Sequence, residues 1–292
     1  MSKPTILVTN DDGIGSPGLW AVVEALLPLG QILVAAPERQ WSGCGRCMPT
    51  DVTCAVRDAI CTVQGQVVPA YGVDGSPAQA VGLAVLDLAP ARPDLVVSGA
   101  NHGANVGTEV TLSGTVGAAL EAAAFGIPAI AVSLEMDLSQ LPCSDATADF
   151  GATMHFVRGL ARYVLQRGLP HDVDVLNLNV PSDAFPFTPW RVTRLSRSRY
   201  YVPLPPDRGR GQNRPGYKLL ECPASTESDS DVFALMVDRE VSITPLSLDM
   251  TARLGVKLPC HLELDLASCL GQASPTALTL VQPAVLEAEL FA

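Results

Sequence analysis

Thr5-Ile6-Leu7-Val8-Thr9-Asn10-Asp11-Asp12-Gly13 is the stretch that decides the fold. Its first five residues are apolar or β-branched, the pattern of a short strand buried on both faces of a parallel sheet. Pro17 and Gly18 then open an apolar stretch through Leu29 that predicts the following helix. A strand feeding a helix in this way sets Asp11 and Asp12 beyond the strand's carboxyl end, where open α/β sheets bind their ligands. Two neighbouring carboxylates each raise the cost of ionising the other. A divalent cation removes that cost, and hard carboxylate oxygens suit Mg²⁺ or Mn²⁺. Asn, Asp and Gly are also common turn residues, so the tetrapeptide alone leaves a plain turn open.

Outward from this point, strands are expected at 5–9, 31–36, 67–73, 94–98, 128–133 and 174–179, and helices at 17–29, 76–88, 113–125 and 145–167. Their alternation predicts an α/β fold, a parallel sheet with helices on both faces. Short β-rich pieces around 50–64 read as a hairpin excursion. After Pro181 the texture changes: 182–217 is rich in Pro, Arg, Tyr and Gly without sustained periodicity, and reads as an extended arm. Val241–Leu246 predicts one further strand. The expected division is an α/β catalytic core over 1–181 and, over 182–292, an arm with oligomerisation elements that complete the core. Trp190, Tyr200, Tyr201 and Tyr217 give the arm large apolar side chains but no core of its own, so it is expected to pack on a neighbouring subunit.

At 292 residues, 48% hydrophobic and 17% charged, the chain is globular. A formal net charge of −11 argues against binding nucleic acid polymers or anionic membrane surfaces. It does not exclude a small phosphorylated substrate held by a metal and backbone amides. The amino terminus has no signal-peptide pattern and no apolar run is long enough to span a bilayer, so a cytoplasmic location is expected. The eight cysteines form no secreted disulfide framework, and Cys44-Gly45-Arg46-Cys47 is a lone CxxC without a second ligand pair for zinc. His102, His155, His171 and His261 show no metal-ligand spacing.

Two more loops point into the same crevice. Ser98-Gly99-Ala100-Asn101-His102-Gly103-Ala104-Asn105-Val106-Gly107 follows a buried strand as part of an unusually long connection to the next helix. Asn101 and Asn105 offer neutral amide oxygens, Glu109 reads as a solvated acid, and Ser113-Gly114-Thr115 starts a helix whose N–H groups form a ready oxyanion site. Ser42, in the loop after the second strand, has no histidine in register and no GxSxG elbow, so a hydroxyl ligand to a metal suits it better than a nucleophile.

TNDDG followed by PG, then APERQWSG, SGANHGANVG and SGTVGAALE, occur here in the order and spacing of the survival protein SurE family, which the chain resembles closely over about residues 4–135. The likeness resumes at Leu176-Asn177-Leu178-Asn179-Val180-Pro181 and at Val241–Leu246. The resemblance implies a Rossmann-like three-layer core and a metal-dependent nucleotidase acting on nucleoside 5′- and 3′-monophosphates. It further implies one divalent cation per subunit held by Asp11, Asp12, Ser42 and Asn101, with Asn105, Ser113, Gly114 and Thr115 contacting phosphate. The implied reaction is metal-assisted hydrolysis of a phosphomonoester, with Asp11 or Asp12 as base and Asn10 orienting them. A homodimer or homotetramer formed by exchange of the C-terminal arm is implied as well.

Three positions depart from the family pattern. Gly72-Val73-Asp74-Gly75-Ser76-Pro77-Ala78-Gln79-Ala80 stands where GTPADC is frequent, Leu112 where Tyr is frequent, and Arg253 where His is frequent. The last removes any acid–base role there, since Arg stays protonated. The rival readings are a non-hydrolytic nucleotide or sugar-phosphate binder on the same scaffold, and a Rossmann dehydrogenase or glycosyltransferase. The former would not need the four oxygen ligands together, and a dehydrogenase should show GxGxxG where NDDGIGSPG stands.

Overall fold

A computed structural model describes residues 3–136, 148–206, 208, 216–219 and 226–251. Its sheet is built on β1 (Thr5–Thr9), β2 (Gln31–Pro37), β4 (Gln66–Val73), β5 (Leu95–His102), β6 (Ala129–Leu134) and β7 (Val175–Val180), with β3 (Val56–Val63) preceding β4 in the chain. After these come β8 (Trp190–Val192), β9 (Tyr201–Leu204), β10 (Gly216–Leu219) and β11 (Val241–Leu246). The nine-stranded order is β3-β4-β2-β1-β5-β6-β7-β11-β8. Neighbours from β4 through β7 are parallel, whereas β3 and β11 pair antiparallel with β4 and β7. The chain winds from β1 to β2 and β4 on one side and resumes with β5 on the other. The crevice above β1 and β5 is therefore the topological switch point, the place for a ligand in such sheets.

Helices α1 (Pro17–Leu26) and α4 (Gly151–Arg167) cover one face, packing Leu19, Val22, Leu26, Val157 and Ala161 on Ile6, Val8 and Val97. Helices α2 (Pro77–Leu83) and α3 (Gly114–Ala124) cover the other, packing Val81, Val116 and Ala119 on Leu7, Leu33 and Val96. This is the three-layer α/β arrangement expected. Three of these starts have a local cause. Pro at the first helical turn opens α1, a reciprocal Ser76–Gln79 capping box with Pro77 opens α2, and the Ser113 side chain caps α3.

Some boundaries differ from expectation. Strand β5 runs on to His102 through an irregularity between Ser98 and Asn101, so Asn101 stands on the strand rather than in a loop. Gly99 makes this possible: at φ 133° its missing Cβ would lie 2.3 Å from the Val132 carbonyl oxygen. Helix α4 begins at Gly151, with 148–150 irregular before it. The hairpin excursion is β3 paired with β4. Beyond Pro181 the chain returns to the sheet, β11 pairing with β7 and β8 closing the edge. Residues up to Asp249 make one compact unit; of the second, Met250–Ala292, only Met250 and Thr251 are described, and Arg253 lies outside the described residues.

Candidate active site

The turn after β1 is stapled from within. Asn10, fully buried, accepts the Gly13 N–H at 3.2 Å and donates Nδ2 to the Gly13 carbonyl at 3.0 Å. Asn10 thus shapes the turn that carries both aspartates.

Asp11 is 4% exposed, and its Oδ1 accepts a hydrogen bond from the fully buried Thr115 hydroxyl. Burial pushes the Asp11 carboxyl up to about 6, with the bonds from Thr115 opposing the shift. Among the described residues no basic side chain pairs with it. The first turn of α3 sits directly against this carboxylate: a Cβ on Gly114 would fall 2.7 Å from Asp11 Cβ and 2.8 Å from its Oδ2. Only glycine lets helix start and carboxylate approach so closely. Ser113 spends its hydroxyl on the Val116 N–H at 3.1 Å, so it is the cap of α3 as expected.

The loop after β2 folds over the same strand end. The Ile14 N–H bonds to the Pro37 carbonyl at 2.8 Å and the Trp41 N–H to the Asp11 carbonyl at 2.7 Å. Gln40 Nε2 donates to Asp12 Oδ1 at 3.2 Å, and the Arg39 guanidinium lies over the Trp41 ring at 5.0 Å. Ser42, exposed, is the next residue of this loop. Burial, together with the nearby Cys47, pushes the Cys44 thiol up to about 12, against the activated thiolate that redox exchange needs. Cys44, Cys47, Cys54 and Cys61 are free thiols.

From β5, half-buried Asn101 donates Nδ2 to the Gly103 carbonyl at 2.7 Å. Asn105 is buried, with its Nδ2 donating to Ser133 Oγ at 2.9 Å. Glu109 corrects the expectation of a solvated acid: it is 9% exposed, and its Oε2 accepts the Tyr200 N–H at 2.9 Å. The Tyr200 hydroxyl donates to Glu135 Oε1 at 2.9 Å, and Glu135 Oε2 accepts from Arg239 Nη2 at 2.7 Å. Tyr200 is therefore buried within its own chain, against Val106, Val232 and Leu235, while Trp190 and Tyr217 stay 59% and 65% exposed. His155 and His171 are exposed and away from these groups, and His261 lies outside the described residues.

Partners of the predicted residues that the sequence did not reveal are Ser133, Asn177 and Asn179, which bond Asn105, and Glu135 with Arg239, which hold Tyr200. For Asn177 and Asn179 the alternation Leu176-Asn177-Leu178-Asn179 is a local signal, amides where a doubly buried strand should be apolar.

Among the described residues no group of three or more His, Cys, Asp or Glu side chains is arranged to hold a metal ion. The crevice instead carries two carboxylates, Asp11 bonded by the Thr115 hydroxyl and Asp12 by the Gln40 amide. Such donors fit a hard divalent ion better than zinc, and a buried carboxylate without a cationic partner fits one too.

A family model described as Survival protein SurE matches residues 6–202. A 5′-nucleotidase SurE of Thermococcus gammatolerans is 45% identical over 249 residues, covering 85% of this chain and 91% of that protein. One from Methanosarcina mazei is 42% identical over 257 residues, covering 86% and 94%. Among solved structures, the SurE protein from Aquifex aeolicus superposes with a TM-score of 0.68 at 30% identity, covering 91% of this chain and 99% of that one.

Proposed function

The chain belongs to the survival protein SurE family, and from that membership we propose that it is a 5′-nucleotidase, hydrolysing nucleoside 5′-monophosphates (and 3′-monophosphates) to nucleoside and phosphate. One observation carries the reading: a buried carboxylate, Asp11, lies against the amino end of α3 at the switch point of a parallel sheet. Asp11, Asp12, Ser42 and Asn101 would hold one divalent cation per subunit, Mn²⁺ or Mg²⁺. When bound, such an ion supplies charge for the phosphoryl oxygens and acidifies water.

The chain's own groups do the rest. Thr115 fixes the Asp11 carboxylate through Oγ1, so this oxygen keeps one direction as charge develops nearby. The Ser113 N–H is bonded to the Glu109 carbonyl at 3.1 Å and the Thr115 N–H faces Asp11, so at this end of α3 the Gly114 N–H and the helix dipole are what would meet a phosphate oxygen, with Asn105 the other proposed phosphate contact. Of the two aspartates Asp12, half-buried, is the less enclosed and would take the proton of an attacking water, while Asp11 is closed off from solvent. A non-hydrolytic binder would need the helix start but not the carboxylate pair.

A homodimer or homotetramer formed through the C-terminal arm belongs to the same proposal, as does a cytoplasmic location. Its support is the exposure of Trp190, Val192 and Tyr217. No described helix is long and apolar enough to cross a membrane.

Phosphate release from a panel of nucleoside monophosphates, with Mn²⁺, Mg²⁺ or excess EDTA, tests the activity. Release that needs the cation is expected; release undiminished by EDTA, or none with either metal, overturns it. Light scattering tests the assembly, and an active monomer of 30.7 kDa would remove it.

A further inference from the structure

β7 is buried on both faces, yet only one face is apolar. Leu176, Leu178 and Val180 join the core beneath α1 and α4, and Val175 joins the core beneath α2 and α3. The two-residue period of a strand therefore turns Asn177 and Asn179 toward the α3 side. In register beside them, Ser133 of β6 and Ser242 of β11 flank Asn179, and Thr244 of β11 flanks Asn177. All five are at most 1% exposed. Buried polar groups cost stability unless they are hydrogen-bonded, and among the described residues Asn177 Oδ1 has no hydrogen-bond partner. Leucine at either position would strip a hydrogen bond from the Asn105 peptide, so what the pair does is hold that residue.

Both amides converge on one residue. The Asn105 N–H donates to Asn179 Oδ1 at 2.8 Å, while the Asn105 carbonyl accepts from Asn177 Nδ2 at 2.8 Å and Asn179 Nδ2 at 3.1 Å. Ser133 holds the Asn105 side chain from β6. The backbone donor, the backbone acceptor and the side chain of Asn105 are thus each gripped from a central strand, although its loop has no regular structure of its own between His102 and Gly107.

We infer that Asn177 and Asn179 are positioning residues of the hydrolytic site: they fix Asn105, and through it the phosphate, against α3. This rests on the nucleotidase reading above. A central strand gripping an irregular loop holds a ligand group to the tolerance that a reacting phosphate requires, which loop backbone alone does not.

The test is a double-mutant cycle on the full chain with saturating Mn²⁺, comparing wild type, Asn179→Leu, Asn105→Ala and the pair. The readouts are the inhibition constant of inorganic phosphate, KM and kcat for a nucleoside monophosphate, and the melting temperature. Asn179→Leu is expected to weaken phosphate and raise KM by about tenfold, as loss of a supporting partner does elsewhere. Because it acts through Asn105, the double variant should bind phosphate no more weakly than Asn105→Ala alone. Asn177→Leu, which leaves Asn179 on the Asn105 peptide, carries the same cycle if Asn179→Leu does not fold. Multiplying effects, or phosphate affinity unchanged in Asn179→Leu while Asn105→Ala loses it, would overturn the inference. An Asn105→Ala variant that binds phosphate normally would overturn it as well, yet leave the nucleotidase reading standing; that reading fails on the wild type alone, if no phosphate is released.

Discussion

Along the α3 face of the sheet the same strands change character from one end to the other. Near their starts Leu7, Leu33, Val96, Ala129 and Val175 pack an apolar layer beneath α2 and α3. Toward their carboxyl ends Thr9, Ser98, Ser133, Asn177 and Asn179 bury polar atoms, and Thr9 Oγ1, Ser98 Oγ and Asn177 Oδ1 lack hydrogen-bond partners among the described residues. Strand, face and layer of covering helices are shared, so the difference is not a matter of exposure. It marks which half of the face stabilises the protein and which half gives up stability to place chemistry beyond the strand ends.

The largest effects should separate the two halves. Asp11→Asn or Asp12→Asn should lower nucleotide hydrolysis by roughly 10³-fold, the several kcal/mol that a charged site supplies, with the melting temperature little changed. Leu7→Ala, in the apolar half, should do the reverse: about 2–5 kcal/mol of stability lost in denaturant titration, with kcat/KM per folded molecule preserved. An inactive but fully stable Leu7→Ala would break the comparison.

Gly114→Ala probes the seam between the halves. The new Cβ has no room beside Asp11 Cβ and Oδ2, so helix start and carboxylate must part by a few tenths of an ångström or more. A displacement of that order should reduce turnover by about 10²-fold while far-UV circular dichroism stays unchanged. Wild-type kinetics would mean that the contact between α3 and Asp11 is not part of the site.

Much of this contrast was legible in the sequence. The apolar strands declared themselves because β-branched residues have few other uses, and Asp11, Asp12, Ser113, Gly114 and Thr115 stood where strand ends and helix starts had to meet. What escaped depended on partners far along the chain. Glu109 reads as a surface acid until Tyr200, distant in sequence, covers it. Likewise, Asn105 reads as a loop residue until Asn177 and Asn179 grip its peptide. The end of β5 was set too early because Ser98-Gly99 has loop composition, whereas the strand there needs the glycine to pass Val132. Local patterns report elements, and long-range hydrogen bonds report nothing until the topology is known.

The smallest effect sharpens the comparison from the opposite face. Gly159 lies exposed in the middle of α4, beside an apolar groove of about 660 Å³ lined by Phe156, Tyr163, Trp190 and Ile243. A Cβ there meets nothing within 4 Å, and the position already holds helical backbone. Gly159→Ala removes unfolded-chain entropy without strain and should stabilise the fold by about 0.5–1 kcal/mol. For a chain of this size that is a rise of about 1–4 °C in melting temperature. Hydrolysis should be unaltered, because α4 packs on the face that carries none of the polar strip. A rise in stability bought with lost turnover would show that the two faces are coupled, and that the division drawn along the α3 side is too simple.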